Sequence, residues 1–98
     1  MKIEQIGLKD KVGKLRMDLI TPECIIGMAE VLTYGAIKYK PNSWQNVENG
    51  IDEHYASLMR HLIVWKQGEM NDNESKLSHM KHVLTNAMFL LYHEQKGR

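Results

Sequence analysis

The chain has 98 residues, enough for one small domain spanning residues 1–98. Hydrophobic residues at 43% and charged residues at 26% are typical of a soluble globular protein and not of a disordered or membrane protein. A net charge of +1 gives no global electrostatic basis for binding nucleic acid. No apolar run is long enough to span a bilayer, and the single cysteine, Cys24, excludes an internal disulfide. A reducing, cytoplasmic location is therefore expected.

Residues 1–17 form a basic arm in which Gly7 and Gly13 interrupt any helical pattern. Its cationic residues are Lys2, Lys9, Lys11, Lys14 and Arg16. One interpretation is a flexible, solvated arm. The other is that residues 13–16 fold over an anionic ligand, so that Lys14 and Arg16 contact phosphates, a task that suits both residue types.

The first helix is predicted from Pro22 to about Tyr39. Thr21 suits the N-cap, Pro22 suits the first helical position, and the residue before Pro41 avoids helical angles. The helical period places one apolar stripe toward the core: Ile25, Met28, Ala29, Leu32 and Ala36. Roughly opposite, facing solvent or a ligand, are Glu23, Gly27, Glu30, Tyr34 and Lys38.

Two glycines, Gly27 and Gly35, interrupt this helix. Each costs about 1 kcal/mol relative to alanine in a helix interior, so they indicate close approach by another backbone or a ligand. The following stretch, residues 40–50, is a loop by composition. Its Trp44 either plugs the edge of the core or stacks on a flat ligand such as a base.

The second helix is predicted from Asp52 to Gln67, with Gly68 ending it. One inward stripe recurs at steps of four, three and four residues: His54, Leu58, His61 and Trp65. Histidines on a buried seam need hydrogen-bonding partners. An acidic connection, residues 69–75, follows this helix.

The third helix is predicted from Lys76 to Gln95, with Ser75 as N-cap. Its predicted core face is Leu77, Met80, Leu84, Ala87, Met88 and Leu91. A second stripe, mixed with Phe89 and Leu90, holds His79, His82, Asn86 and His93. Because a solvated stripe would not carry Phe89 and Leu90, we expect it to be partly buried, against the second helix or another subunit.

The predicted fold is all-α, a small helical bundle with three main helices and a flexible N-terminal arm. Three amphipathic helices on so short a chain leave apolar surface uncovered, so we also expect self-association.

The segment from Arg60 to His82 concentrates ionisable residues between two helices. Carboxylates on adjacent helices can converge on divalent cations, and Glu23 and Glu30 of the first helix could meet Glu69 and Asp72 in this way. His79 and His82, three residues apart, could hold a metal, donate to phosphate oxygens or be merely structural. We interpret the segment as one wall of a pocket, with the first helix opposite.

Five segments together resemble a known family. They are GKLRMDLITPE at 13–23, AEVLTYGAIKY at 29–39, NSWQN at 42–46, RHLIVWKQGE at 60–69 and HMKH at 79–82. They look like the N-terminal domain family of phage dATP/dGTP diphosphohydrolases. These proteins are related to the MazG-like all-α nucleoside triphosphate pyrophosphohydrolases. The resemblance implies a MazG-like helical bundle assembled as a homodimer or homotetramer, in the host cytoplasm if phage-encoded.

The resemblance also implies an activity. It is hydrolysis of a purine deoxynucleoside triphosphate, dATP or dGTP, to the monophosphate and pyrophosphate, with Mg²⁺ or else Mn²⁺ or Co²⁺. The implied catalytic residues and metal ligands are Glu30, Glu69 and Asp72. The implied substrate-binding residues, for phosphates or for the base, are Lys14, Arg16, Lys38, Tyr39, Trp44, Arg60, His61, His79 and His82. No nucleic acid or membrane partner is expected.

The sequence departs from the family pattern at two places. The MazG-type signature, two or three glutamates followed by ExxD on the next helix, is not intact, and Lys76 stands where glycine is expected after Glu74-Ser75. Two alternatives to the enzyme therefore stay open. One is a nucleotide-binding bundle without turnover, and the other is a structural or host-interaction protein whose histidine stripe forms an oligomer seam.

Overall fold

The computed structural model describes residues 13–97, and within them the chain forms three α-helices and no strand. The helices are α1 (Pro22–Lys38), α2 (Gly50–Lys66) and α3 (His79–Gln95). Short 3-10 turns, Met17–Leu19 and Ser43–Asn46, precede α1 and α2. The all-α bundle is thus confirmed. Most of the predicted arm, residues 1–12, lies outside the described residues. Over the described part, no helix is long and apolar enough to cross a bilayer.

The predicted ends of α1 and α2 are nearly those observed. Thr21 is extended at the N-cap of α1, Pro22 is its first residue, and the Tyr39 amide donates to the Gly35 carbonyl at its end. α2 begins two residues earlier than predicted, because Asn49 in the left-handed conformation reverses the chain just before Gly50. Gly68 ends the helix with a φ of 111°.

The predicted start of α3 at Lys76, with Ser75 as its cap, is wrong. The helix begins at His79, and the Ser78 hydroxyl caps it by accepting from the Met80 amide at 3.1 Å. Residues before it fold as a tight hairpin instead, with an isolated antiparallel bridge between Asn71 and Ser78. Lys76 lies inside that hairpin with a φ of 66°, which a helix cannot accommodate.

The predicted core face of α1 is wrong in part. Ile25 is 54% exposed, whereas the buried residues of α1 are Gly27 and Val31. α1 packs mainly against α3, through the face that the periodicity assigned to solvent or ligand. The Lys81 side chain of α3 crosses directly over Gly27, where an added Cβ would lie 3.0 Å from Lys81 Cγ. The close contact at Gly27 is therefore with a side chain and not with the backbone or ligand expected, and nothing lies within 4 Å of a Cβ added at Gly35.

The seam between α2 and α3 is polar. Its buried residues are His54 on α2 and His79, His82, Thr85 and Asn86 on α3. This confirms burial of the second stripe of α3, whereas Leu91 of the predicted core face is 55% exposed. Trp65, predicted to point inward, is 38% exposed.

Hydrogen bonds satisfy the buried polar groups of this seam. The Asn86 amide donates to the His82 carbonyl at 2.9 Å and to the Ser57 hydroxyl across the interface at 3.3 Å. The Thr85 hydroxyl donates to the Lys81 carbonyl one turn earlier, at 2.8 Å. Buried polar groups are tolerated where they find partners in this way.

Candidate functional site

A cleft of about 780 Å³ opens between α1 and α2. Its walls are the C-terminal half of α1, the connection to α2 and one face of α2. Three residues of α3 and two of the hairpin before it complete the lining. Seven of the residues predicted for the site line it: Lys38, Tyr39, Trp44, Arg60, His61, Asp72 and His82. The sequence-based interpretation of a pocket with α1 as the opposite wall therefore matches this geometry.

One end of the cleft is aromatic. Trp44 stacks on Phe89 with ring centroids 4.3 Å apart, and its edge meets the Tyr92 ring at 4.9 Å. The His54 ring holds this loop, because its Nε2 donates to the Trp44 carbonyl at 3.1 Å. Trp44 thus packs against the core, as one interpretation expected, and also lines the cleft. Its stacking on a base stays a prediction.

The other end holds a histidine–carboxylate group. His61 Nδ1 lies 2.8 Å from His79 Nδ1, and His79 Nε2 lies 2.6 Å from a Glu69 carboxylate oxygen. One ligand atom each from His61, Asp72 and His79 falls within 4.8 Å of the other two. His54 and His61 are seven residues apart on α2, so this end lies about 10 Å from the aromatic end.

The hairpin before α3 fixes Asp72. The Ser75 amide donates to the Asp72 carboxylate at 2.7 Å, and the Asp72 amide donates to the Leu77 carbonyl at 2.8 Å. Burial acts to raise the pKa of the Asp72 carboxyl, but the hydrogen bonds from Ser75 and the neighbouring histidines outweigh it, so its pKa lies below the usual value. Asp72 is therefore an ionised, oriented carboxylate at neutral pH.

The two histidine rings beside Asp72 are stacked. His82 lies flat on His61, with centroids 4.3 Å apart and planes 6° from parallel, and its Nε2 lies 2.7 Å from the Ser75 hydroxyl. Burial lowers the pKa of His61 to about 4 and lowers that of His82 as well. Both rings are neutral at pH 7, as ligands of a metal or acceptors of a proton must be.

Glu74 connects the hairpin to α1. Its carboxylate accepts from the Tyr34 hydroxyl at 2.5 Å and from the Lys38 ammonium. The hydrogen bond from Lys38 holds the pKa of Glu74 below its usual value, and the same contact raises the pKa of Lys38. Tyr34 was absent from the predicted set, and Glu74 was noted in the acidic connection without an assigned role. The signal available in the sequence was the spacing of Tyr34 and Lys38, four residues apart on one helix face.

The predicted carboxylate ligands are not all brought together. The Glu30 carboxylate pairs with Lys81 of α3 at 2.6 Å and lines no part of the cleft, and Glu69 binds His79. Of the three predicted carboxylate ligands, only Asp72 belongs to the candidate metal group found among residues 13–97.

Two predicted phosphate contacts also lie elsewhere. Arg16 makes a two-pronged pair with Asp18, both contacts at 2.8 Å, on the exposed segment before α1. Lys14 is exposed, and neither residue lines the cleft. His79 is 4% exposed and does not line the cleft, although its Nδ1 lies 2.8 Å from His61 Nδ1.

The fold and the site together define an all-α bundle whose cleft carries ionised and imidazole groups at one end. A model of the family described as "dATP/dGTP diphosphohydrolase, N-terminal" matches residues 4–98, and the chain belongs to that family.

A curated relative named dATP/dGTP diphosphohydrolase, from Salmonella phage PMBT28, is 29% identical over 86 residues. The match covers 88% of this chain and 29% of that protein, so the chain spans less than a third of the relative's length. No solved structure matches the chain.

Proposed function

We propose that this domain hydrolyses purine deoxynucleoside triphosphates, dATP or dGTP, to the monophosphate and pyrophosphate in a reaction that depends on a divalent metal ion. The observation that carries the proposal is the cleft itself, with Trp44 at one end and Arg60, His61, Asp72 and His82 near the other. That order suits a nucleotide, whose flat base and charged phosphates need opposite surroundings. The name of the family supports the choice of substrate.

Arg60 is the side chain best placed to bind phosphate. It lies on α2 next to His61, lines the cleft and is exposed. Among the residues that the structure describes, it has no carboxylate partner, so its guanidinium can bind phosphate oxygens through two parallel hydrogen bonds. Lys38 also lines the cleft, but Glu74 already neutralises its charge.

The reaction joins a water oxygen to the α-phosphorus and breaks the bond from that phosphorus to the oxygen bridging to the β-phosphorus. The electron pair of the broken bond leaves with pyrophosphate, and the attacking water gives up a proton to the solvent. A bound divalent ion supplies positive charge that offsets the charge developing on the phosphates. The residues of the chain orient the substrate: Trp44 offers an aromatic surface to the base, and Arg60 holds the phosphates.

Measuring pyrophosphate release from dATP, dGTP, dCTP and dTTP tests the proposal, with Mg²⁺, Mn²⁺ and Co²⁺ each supplied in turn. We expect turnover of dATP or dGTP in preference to the pyrimidine nucleotides. Release from none of the four with any of the ions would overturn the proposal. A nucleotide-dependent rise in melting temperature without release would instead establish the nucleotide-binding alternative.

The variant Arg60→Ala tests the placement of the substrate. Loss of a hydrogen bond to a charged group costs about 1.5–3 kcal/mol, so kcat/KM should fall roughly 10- to 100-fold. Lys66→Ala is the matched control, because Lys66 ends the same helix, is exposed and does not line the cleft. Equal activity of both variants would place the phosphates elsewhere.

A further inference from the structure

His61, Asp72 and His79 come from three separate parts of the chain: α2, the hairpin and α3. Their ligand atoms nevertheless lie within 4.8 Å of one another, and residues 13–97 contain no other such group. The group combines two imidazole nitrogens with one carboxylate oxygen. It differs from the three carboxylates expected from the family resemblance, because Glu30 is paired with Lys81.

The separation of the two histidine nitrogens suits a shared ion. Metal–nitrogen bonds are about 2.0–2.1 Å long, so two nitrogens bound at a right angle to one ion lie about 3 Å apart. His61 Nδ1 and His79 Nδ1 lie 2.8 Å apart. The same distance fits a hydrogen bond between the two rings, in which His61 carries the proton. An ion bound between the rings would replace that proton with little movement of either ring.

Glu69 directs the lone pair of His79 toward this point. Its carboxylate lies 2.6 Å from His79 Nε2, so that nitrogen donates its N–H and Nδ1 is left unprotonated. A carboxylate that accepts from the far nitrogen of a metal-binding histidine is a common feature of metal sites, where it fixes the tautomer and the ring orientation. Asp72 is held in a comparable way, since the Ser75 amide donates to its carboxylate.

We propose that His61, Asp72 and His79 bind a divalent transition metal ion such as Mn²⁺, Fe²⁺, Co²⁺ or Zn²⁺, and that Glu69 is the residue positioning His79. Imidazole ligands favour these ions over Mg²⁺, which prefers a shell of oxygen atoms. Three protein ligands leave coordination positions open, and His61 and Asp72 line the cleft, where water or a phosphate oxygen can complete the shell. The inference adds a metal site to the proposed function. A catalytic role for the ion rests on that proposed function.

Titrating the metal-free full chain with Co²⁺ tests the site directly, with visible absorption and calorimetry as readouts and no substrate present. We expect one Co²⁺ per chain, a rise in melting temperature on binding, and much weaker binding of Mg²⁺. Glu69→Gln should weaken Co²⁺ binding by about 10- to 100-fold, the effect typical of losing an outer partner of a ligand. His61→Asn and Asp72→Asn should weaken it at least as much.

His93→Asn is the matched control, because His93 is another histidine of α3 but lies at the opposite end from His79. It should bind Co²⁺ as the unmodified chain does. Circular dichroism checks that each variant folds. If a buried ligand variant does not fold, Glu69→Gln still decides, because the side chain of Glu69 is 44% exposed.

No Co²⁺ binding by the unmodified chain would overturn the inference, as would unchanged Co²⁺ affinity in Glu69→Gln. The two proposals fail separately. Hydrolysis supported by Mg²⁺ in a chain that binds no Co²⁺ would remove this site and leave the proposed function. Binding of Co²⁺ at these residues without hydrolysis of any nucleotide would do the reverse.

Discussion

Lys76 adopts a backbone conformation that lysine rarely takes. Its φ of 66° lies in the left-handed region, where the Cβ atom crowds the following carbonyl at a cost of roughly 1–2 kcal/mol. This is the position at which the family resemblance leads one to expect glycine, which has no Cβ. The hairpin enforces the conformation, because the Lys76 amide donates to the Asp72 carbonyl at 2.9 Å.

Lys76→Gly should therefore stabilise the fold, by about 1 kcal/mol once the greater freedom of glycine in the unfolded chain is subtracted. Urea denaturation monitored by circular dichroism measures the change in free energy of unfolding. Asn73→Gly in the same hairpin is the control. Asn73 is exposed and has no positive φ, so glycine there should lower stability. The same sign for both variants would contradict the explanation.

Gly50 lies against His93 of α3. A Cβ added at Gly50 would lie 2.9 Å from His93 Nε2, a buried nitrogen without a hydrogen-bond partner among the described residues. The ring cannot swing away freely, because His54 stacks on it at 5.4 Å and Trp44 and Tyr92 meet its faces and edges. The start of α2 therefore requires a residue without a side chain.

Gly50→Ala should destabilise the protein by about 1–3 kcal/mol, the usual effect of adding a methyl group to a filled site. Gly35→Ala is the matched control, since nothing lies within 4 Å of the added atom and alanine is the better helix former. It should stabilise the protein by up to about 1 kcal/mol. Thermal denaturation measures the melting temperature of both variants. A Gly50→Ala protein that melts at or above the melting temperature of the unmodified protein would refute this packing.

The α2–α3 seam is the element whose stability should depend on pH. His54 is buried there, and burial lowers its pKa despite the hydrogen bond to the Trp44 carbonyl. The charged groups that face it are His93 on α3, which lowers the pKa further, and Glu53 on α2, which raises it. The folded protein therefore holds His54 neutral at a pH where the unfolded chain already binds a proton.

The sign of the dependence follows from this difference. Unfolded histidine titrates near pH 6.5, so the stability from neutral His54 is fully present above that pH and is lost as the pH falls below it. Urea midpoints measured from pH 8 to pH 5 with a chelator present should decline toward acid. His54→Gln, which can still donate to the Trp44 carbonyl, should show a shallower decline. An identical slope for both proteins would contradict the prediction.

Polar contacts attach α1 to α3 and to the hairpin. Lys81 of α3 pairs with Glu30, and Glu74 of the hairpin accepts from Tyr34 and Lys38. These contacts lie on the face that lines the cleft or borders it, so they also set the position of its α1 wall. The width of the cleft thus depends on the hairpin as well as on helix packing.

The whole molecule leaves much apolar surface uncovered. Val31 is the one large apolar residue that is buried among residues 13–97, whereas Ile25, Ile26 and Ile37 of α1 are 54%, 58% and 82% exposed. Exposed apolar patches of this kind mark interaction sites more often than solvated surface. The expectation of self-association, reached from the sequence, remains a prediction, and α1 is the helix on which to test it.

Sedimentation velocity should show the unmodified chain as a dimer or larger assembly, with a melting temperature that rises with protein concentration. Ile25→Glu combined with Ile26→Glu should shift it toward monomer, because charge placed in an apolar contact is costly to bury. Gln95→Glu adds a single negative charge at an exposed site on α3 and should leave assembly intact. A chain that is monomeric at every concentration would contradict the prediction.

Local patterns in the sequence were sufficient to predict three helices and most of the ends of two of them. Pro22, the residues before Pro41 and Gly68 mark helix ends through backbone geometry that acts within a few residues, so the bounds of α1 and α2 could be read closely. The start of α3 could not, because Lys76 takes its conformation from hydrogen bonds that close the hairpin. Ser78 then caps the helix in place of Ser75.

The face each helix presents and the grouping of the site were decided by tertiary structure. Periodicity identifies an apolar stripe, but Ile25 of the α1 stripe stays exposed, and the buried residues of this helix are Gly27 and Val31. Seven site residues do meet in the cleft. Contacts between distant parts of the chain decide which carboxylate joins the histidines. Lys81 of α3 pairs with Glu30. The hairpin places Asp72 beside His61 and His79. Such contacts join residues distant in the chain, and no spacing within one helix specifies them.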